Sequence, residues 1–306
     1  MFREVWAIHC GLQPFSLSRR MIADRKFQPA GDEILYHYCS PETFLAICEG
    51  KALRFSDLAA MNDFMEVHWG HQIWERAASA VVDRTGTELL NDIGEILFAA
   101  KIITVPVACC LSTDGDVLSQ WRAYAADGAG YAVGFRAADL ANMPVQPLRV
   151  SYDEARQLEE LKTLILAIHD VEETEVEKRS AGFQQACFTA AWDLAAFKNP
   201  AFSEEQEVRL LHIIGHEVSN RSFKLVDGSG HAFGKPASPK PVRFRMKGSI
   251  PVPYLDLDFT GEGTVAPIAE VILGPKNDVD LLRLAVVLET LGVPNVQVRK
   301  SKASYR

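Results

Sequence analysis

The chain has 306 residues, of which 48% are hydrophobic and 24% charged, an ordinary globular composition with length for one large domain or two small ones. A formal charge of −8 favours solubility and excludes wholesale coating of nucleic acid, and no run reaches the roughly 18 uninterrupted apolar residues that a membrane helix needs. Six cysteines without a C-x-x-C pair, and an apolar stretch at 5–10 too short for an export signal, point to a reduced cytoplasm.

Residues 1–33 are irregular and read as an N-terminal arm, which leaves 34–306 as a single domain. Residues 34–39 read as an apolar, aromatic strand. Ser40 and Pro41 follow as N-cap and first helical residue, Phe44, Leu45 and Cys48 supply the helix face, and Gly50 takes the C′ position. Residues 53–56 return as a second strand. Helices over 63–83 and 87–101 lead to a buried strand over 102–111, a short helix over 116–124 and a strand over 131–135. A further strand lies near 148–152. Residues 154–197 then have helical periodicity, with Leu158, Leu161, Ile165, Phe183, Cys187 and Leu194 on apolar faces, until Asn199-Pro200 ends it. Gly, Pro and Ser make 228–241 a mobile loop. Strands over 242–246 and 269–273, a helix over 279–291 and a strand over 296–299 close the chain. The elements mix without steady alternation, which predicts an α+β fold rather than a doubly wound sheet.

Charge is uneven. Residues 220–247 hold seven bases (Arg221, Lys224, Lys235, Lys240, Arg243, Arg245 and Lys247) against Asp227 alone, while 153–217 is acidic. Such a stretch either meets a phosphate-bearing partner or is a solvated face that offsets the acidic helices. His212 and His216 have the i, i+4 spacing of some helical zinc ligands but lack the glutamate of H-E-x-x-H, and His68 and His71 have no third ligand. No metal is expected. The glycine strings at 128–130 and 228–234 fit no phosphate-loop pattern and read as turns.

The carboxylates of interest are Glu205 and Glu207 in Phe202-Ser-Glu-Glu-Gln-Glu-Val-Arg209. In a strand, Glu205, Glu207 and Arg209 share one face, and two acids beside a cation suit a cationic transition state. Ser203 and Gln206 equally form a capping box, with Glu205 and Arg209 as an i, i+4 pair, and the helix is the preferred reading of the local pattern. His37 faces away from Tyr36 and Tyr38 in its strand, where a histidine commonly satisfies a backbone carbonyl. Asn62-Asp63 precedes a helix as its cap, and Trp121 and Tyr124, three apart on a short helix, serve equally well as core.

Taken in order, these segments form a series over about residues 34–306. It runs through Leu35-Tyr-His-Tyr38, Leu53-Arg-Phe-Ser56, Met61-Asn-Asp63 with Glu66, Cys110-Leu-Ser112, Trp121-x-x-Tyr124 and the strand Gly130–Phe135. Lys198 with Phe202-x-x-Glu205-x-Glu207-x-Arg209, Glu270-Val-Ile-Leu-Gly274 and Ser301-x-x-x-Tyr305-Arg306 complete it. The series resembles a bacterial family known as domain of unknown function 2971, departing from it at Phe202, where tryptophan is expected. The opening also resembles ADP-ribosyltransferases, in which a strand histidine is followed by a capped helix and a small-residue strand.

The second resemblance implies an α+β domain with a split, twisted mixed sheet that grips NAD, flanked by helices. By that analogy His37 holds the adenosine-side ribose, and Tyr38 or another aromatic, Trp121 or Tyr124, flanks nicotinamide. Ser112 supports the nicotinamide pocket, with Ser56 and Arg209 completing the NAD-binding set. Glu207 binds the nicotinamide ribose and stabilises its oxocarbenium-like charge as nicotinamide leaves, and Glu205 orients the acceptor. The implied activity is ADP-ribosyl transfer to a protein or nucleic-acid acceptor, as in a toxin or phage-defence effector. The alternatives are a non-catalytic nucleotide- or nucleic-acid-binding module and an NAD hydrolase using the same pocket.

Overall fold

The computed structural model describes residues 26–61, 66–219 and 222–305. Most of the expected arm, the Asn62-Asp63 cap, the side chains of Glu66 and His68, and Arg221 and Arg306 lie outside the described residues.

The opening unit is β1 (Ile34–Cys39), α1 (Pro41–Gly50) and β2 (Ala52–Asp57). Ser40 caps α1 by accepting from the Thr43 N–H at 3.3 Å, and Pro41 supplies a pre-set φ at a position with no amide to satisfy. The left-handed residue that ends the helix is Lys51 (φ 49°), one beyond Gly50. Its ammonium meets the Cys48 and Leu291 carbonyls at 2.7 Å each and so ties down two helix ends at once.

Next come α2 (Glu66–Thr85), α3 (Thr87–Ile103), β3 (Thr104–Ser112), α4 (Leu118–Tyr124), β4 (Tyr131–Arg136), α5 (Ala137–Leu140) and β5 (Gln146–Arg149). The stretch expected to be helical over 154–197 is two helices, α6 (Glu154–Thr174) and α7 (Ala181–Asp193), capped by Asp153 and Ser180. A 3-10 helix, Pro200–Glu205, is capped by Asn199 and leads into β6 (Glu207–Val218). Here the preferred helical reading of 205–209 fails. Gln206 sits in the left-handed region (φ 44°), which ends the 3-10 turn, and Val208, Leu210 and Ile214 then enter the core at strand spacing.

Strands β7 (Phe223–Asp227), β8 (Gly230–Ala232), β9 (Lys235–Ala237), β10 (Arg243–Lys247), β11 (Ile250–Asp258) and β12 (Ile268–Leu273) follow, with α8 (Leu281–Thr290) and β13 (Gln297–Lys300) at the end. The supposed loop at 228–241 therefore contains the small hairpin β8–β9. It is pinned by Asp227, whose carboxylate accepts from the Ser229 and Lys240 amides, and by Phe233, which packs on the main core.

Among the described residues eleven strands make one sheet in the order β10-β11-β2-β3-β1-β4-β12-β13, with β6 on the far edge of β3 and β5 and β7 beyond it. Strands β12 and β13 pair in parallel and the other described pairs of this sheet are antiparallel, so the sheet is mixed. It also branches, because one edge of β3 is shared by β2 at Ser56↔Ala108 and by β1 at Tyr36↔Ser112. One sheet face packs on α1, α5 and α8 through the largest apolar cluster. The four helices α2, α3, α6 and α7 bury a second cluster of their own, and a small third one (Ala108, Leu148, Trp192, Ala196, Leu211) joins that helical layer to the other face of β3 and β6.

Candidate functional site

The site is set by strand register. Ser112 at the end of β3 pairs with Glu207 at the start of β6, and Cys110 pairs with Arg209. With period-two alternation these four side chains share the face turned toward the helical layer, while Cys109, Leu111, Val208 and Leu210 enter the apolar core on the other side. The strand reading of the Glu-x-Glu-x-Arg string thus holds for Glu207 and Arg209. Glu205 belongs to the preceding 3-10 turn and reaches the same place from above.

Four charges meet there. Arg209 donates from Nε to Glu207 Oε1 at 2.6 Å and from Nη2 to Oε2 at 3.1 Å, and its Nη1 donates to the Ala195 carbonyl. Lys198 Nζ donates to Glu207 Oε2 at 3.0 Å and to Glu205 Oε2. Tyr124 donates its hydroxyl proton to Glu205 Oε1 at 3.1 Å, and the Glu207 amide donates to the Tyr152 hydroxyl at 3.0 Å. Glu207 is 5% exposed, Arg209 1% and Lys198 5%, so the cluster lies inside the molecule and, among the described residues, sets two carboxylates against two cations.

Burial on its own would raise the Glu207 carboxyl. Arg209, by charge and hydrogen bond, then Lys198 and the Cys110 thiol outweigh it and leave Glu207 at about 2. Burial, reinforced by Glu205, drives the Tyr124 hydroxyl well above the ordinary tyrosine range, so it remains a proton donor.

Beside this cluster, on the same face, Tyr38 lies edge-on to Trp121 with ring centres 4.9 Å apart. The Tyr38 hydroxyl donates to the Asp114 carbonyl and accepts from the Val117 amide, and the Trp121 indole donates to Asp116. These bonds fold the 113–117 loop over the end of β3, where Ser112 Oγ accepts from the Asp114 amide at 3.2 Å. Ser112, Glu205, Glu207, Arg209 and Tyr124 therefore come together, with Tyr38 and Trp121 alongside.

Two expected members stand apart. Ser56 pairs with Ala108, four residues from Ser112 and so about 13 Å along the strand. His37 points to the opposite sheet face, as the pairing of its neighbour Tyr36 with Ser112 requires. Its Nδ1 meets the Cys110 carbonyl at 3.1 Å, in the interval where β3 passes from β2 to β1. Burial lowers its pKa, and the Cys110 carbonyl only partly offsets this. The expectation that His37 and Glu207 line one hollow is corrected by that register.

Tyr152 is a site residue that the sequence did not single out, and Lys198 entered only through the family series, not through local periodicity. Lys198 lies nine positions before Glu207 with a turn between, so no helical or strand period links them. His212, read as half of a helical pair with His216, is on a strand, its ring nitrogens 2.6 Å from the Pro144 carbonyl and 2.7 Å from Asp227. The basic stretch is largely compensated in place. Lys224 pairs with Glu217, Lys235 with Glu262 and Arg243 with Asp256, while Lys247 caps the Ala60 and Met61 carbonyls. No helix among the described residues is long and apolar enough to cross a membrane.

These features define a mixed α+β protein with a large mixed sheet, flanking helices and a buried two-acid, two-base cluster on one sheet face. The model of a family described as Protein of unknown function (DUF2971) matches residues 120–210, the span from α4 to Leu210 that holds all four charges, and bears out the resemblance to that family. No curated protein and no solved structure matches the chain.

Proposed function

We propose that the chain is an NAD-consuming enzyme of ADP-ribosyltransferase type with Glu207 as the carboxylate at its reacting centre. One observation carries the reading. A carboxylate held ionised stands at the first residue of β6, opposite the serine that ends β3 and on the face that bears Tyr38, Trp121 and Tyr124. An acid with a pKa near 2 does not donate protons at neutral pH, and its chemistry is to balance positive charge. In ribosyl transfer the bond from C1′ to the nicotinamide nitrogen breaks and its electron pair leaves with nicotinamide. The charge left on the ribose is then what the carboxylate offsets. An acceptor oxygen or nitrogen, from a protein or a nucleic acid, bonds to C1′ and gives up its proton, for which Glu205 is the base at hand.

In this reading His37 is a framework residue rather than a ribose ligand, and Lys198 is the internal cation that substrate displaces from Glu207. The test is nicotinamide release from NAD by purified protein supplied with cell extract. Glu207→Gln, checked for an intact fold by circular dichroism, is expected to lower release by about 10²–10³-fold. A folded protein that neither binds nor consumes NAD with any extract ends the proposal, and free ADP-ribose as the sole product makes the enzyme a hydrolase.

A second reading rests on the saturation of Glu207, both of whose oxygens are already met by Arg209 and Lys198. It makes the four charges a framework inside a non-catalytic nucleotide-binding module. Glu207→Gln then lowers the unfolding midpoint and leaves nucleotide affinity unchanged.

A further inference from the structure

The geometry points to a second ligand site, for a phosphate-bearing small molecule, on the outer face of α4. The inner face of that helix buries Gln120 and Trp121. Its outer face, with the turn that follows, lines an open cleft of about 360 Å³ formed by Ser119, Arg122, Ala123 and Asp127. That volume has room for a small organic phosphate and not only for a bare anion.

Three donor side chains belong to the cleft or to its neighbours, Ser119 and Arg122 in the lining and Lys276 through Asp127. Ser119 Oγ is buried without a hydrogen-bond partner among the described residues, which is costly for a hydroxyl unless something outside the chain completes it. Arg122 is held by no hydrogen bond or ion pair among the described residues; its guanidinium lies over the Tyr305 ring, 5.6 Å from its centre, and its charge acts on the nearby Asp127 carboxylate. Lys276 Nζ, outside the lining itself, is 4.0 Å from the same ring centre.

The carboxylate in the cleft is already committed. Asp127 Oδ1 accepts from the Tyr305 hydroxyl at 2.7 Å and Oδ2 from Lys276 at 2.8 Å. Among the described residues two cations, Lys276 and Arg122, thus face one carboxylate, and the Ser119 hydroxyl has no partner. The backbone that presents Asp127 is strained, with Ala126 at φ 48° and Asp127 at φ 53°, both in the left-handed region. Such conformations persist where surrounding contacts over-determine them, as they do beside ligands.

A carboxylate ligand would offer two oxygens in one plane. A phosphate group offers three acceptors in a tetrahedral fan, which suits a set made of a hydroxyl, a guanidinium fork and an ammonium. The inference does not depend on the reaction assigned to Glu207, since the lining residues Ser119, Arg122, Ala123 and Asp127 are distinct from the groups that hold that carboxylate, Arg209 and Lys198.

The experiment is calorimetric titration of the full chain with inorganic pyrophosphate and with ADP at low ionic strength. Both are expected to bind, more weakly as salt rises, with affinity reduced at least about tenfold by Arg122→Gln and measurably by Ser119→Ala. Arg122 is exposed and Ser119→Ala removes only an unpaired hydroxyl, so both variants are expected to fold. Glu207→Gln should bind both probes as the wild type does. Absence of binding by either probe at millimolar concentration overturns the site. So does binding that Arg122→Gln leaves unchanged, or binding that Glu207→Gln abolishes.

Discussion

Along β3 and β6 the two faces of the sheet carry opposite chemistry. Cys109, Leu111, Val208 and Leu210 pack into the largest apolar cluster, while Ser112, Glu207 and Arg209, their immediate neighbours in the chain, meet Lys198 and the helical layer. Apolar contacts are many and individually small, so that face degrades gradually when a side chain is trimmed. The charged face behaves otherwise. Each charge is tolerable in the interior only because the others are present, so deleting one exposes the desolvation cost of those left behind.

Arg209→Ala tests that difference most severely. It leaves Glu207 with only half its compensation, and urea unfolding should show a loss of about 3–5 kcal/mol. The adjacent Leu210→Ala, on the apolar face, should cost about 3 kcal/mol through lost burial and a cavity. If Leu210→Ala proves the more damaging, the charged cluster is not the cooperative unit described above.

Acid separates the faces without mutation. The folded-state pKa of Glu207 lies near 2, below its ordinary 4.5, so the stabilisation it contributes is fully present above about pH 4.5 and disappears as pH falls toward 2. The loss is on the order of 3 kcal/mol. Denaturant midpoints measured from pH 6 to pH 3 should fall in the wild type more steeply than in Glu207→Gln, which has no carboxyl at that position to titrate. The smallest effect belongs to a site remote from both faces. Ser40→Ala removes the α1 cap and should cost about 1 kcal/mol by the same unfolding measurement.

Much of the architecture is legible wherever a local rule decides it. The β1–α1–β2 opening follows from one alternating run, one Ser-Pro cap and one helical stripe, and α3, β4, β12 and α8 lie within two residues of their pattern-based bounds. The failures occur where tertiary contact overrides local signal. Ser203 and Gln206 advertise a capping box, yet the chain turns left-handed at Gln206 because Val208 and Leu210 are wanted in the core at strand spacing. Strand β11 is disguised by Pro251 and Pro253, and the 228–241 loop is ordered by Asp227, which is itself met by His212 of β6, and by Phe233, whose amide donates to the Asn142 carbonyl.

The same holds for the site. Residue types and alternation identify Glu207 and Arg209 as facing one way, and nothing in either periodicity supplies Lys198 or Tyr152. His37 shows the converse. Its face was readable from alternation, and only the β1–β3 register reveals that Glu207 is on the other side.

The claim beneath all of this is that a carboxylate walled in behind the sheet stays ionised because Arg209 and Lys198 hold it so. Carbon-13 NMR of the side-chain carboxyls, followed from pH 7 to pH 3, measures that state at Glu207 itself. The account predicts a Glu207 resonance that barely moves over this range. A midpoint at or above the ordinary 4.5 would contradict it and remove the charge on which the proposed chemistry depends.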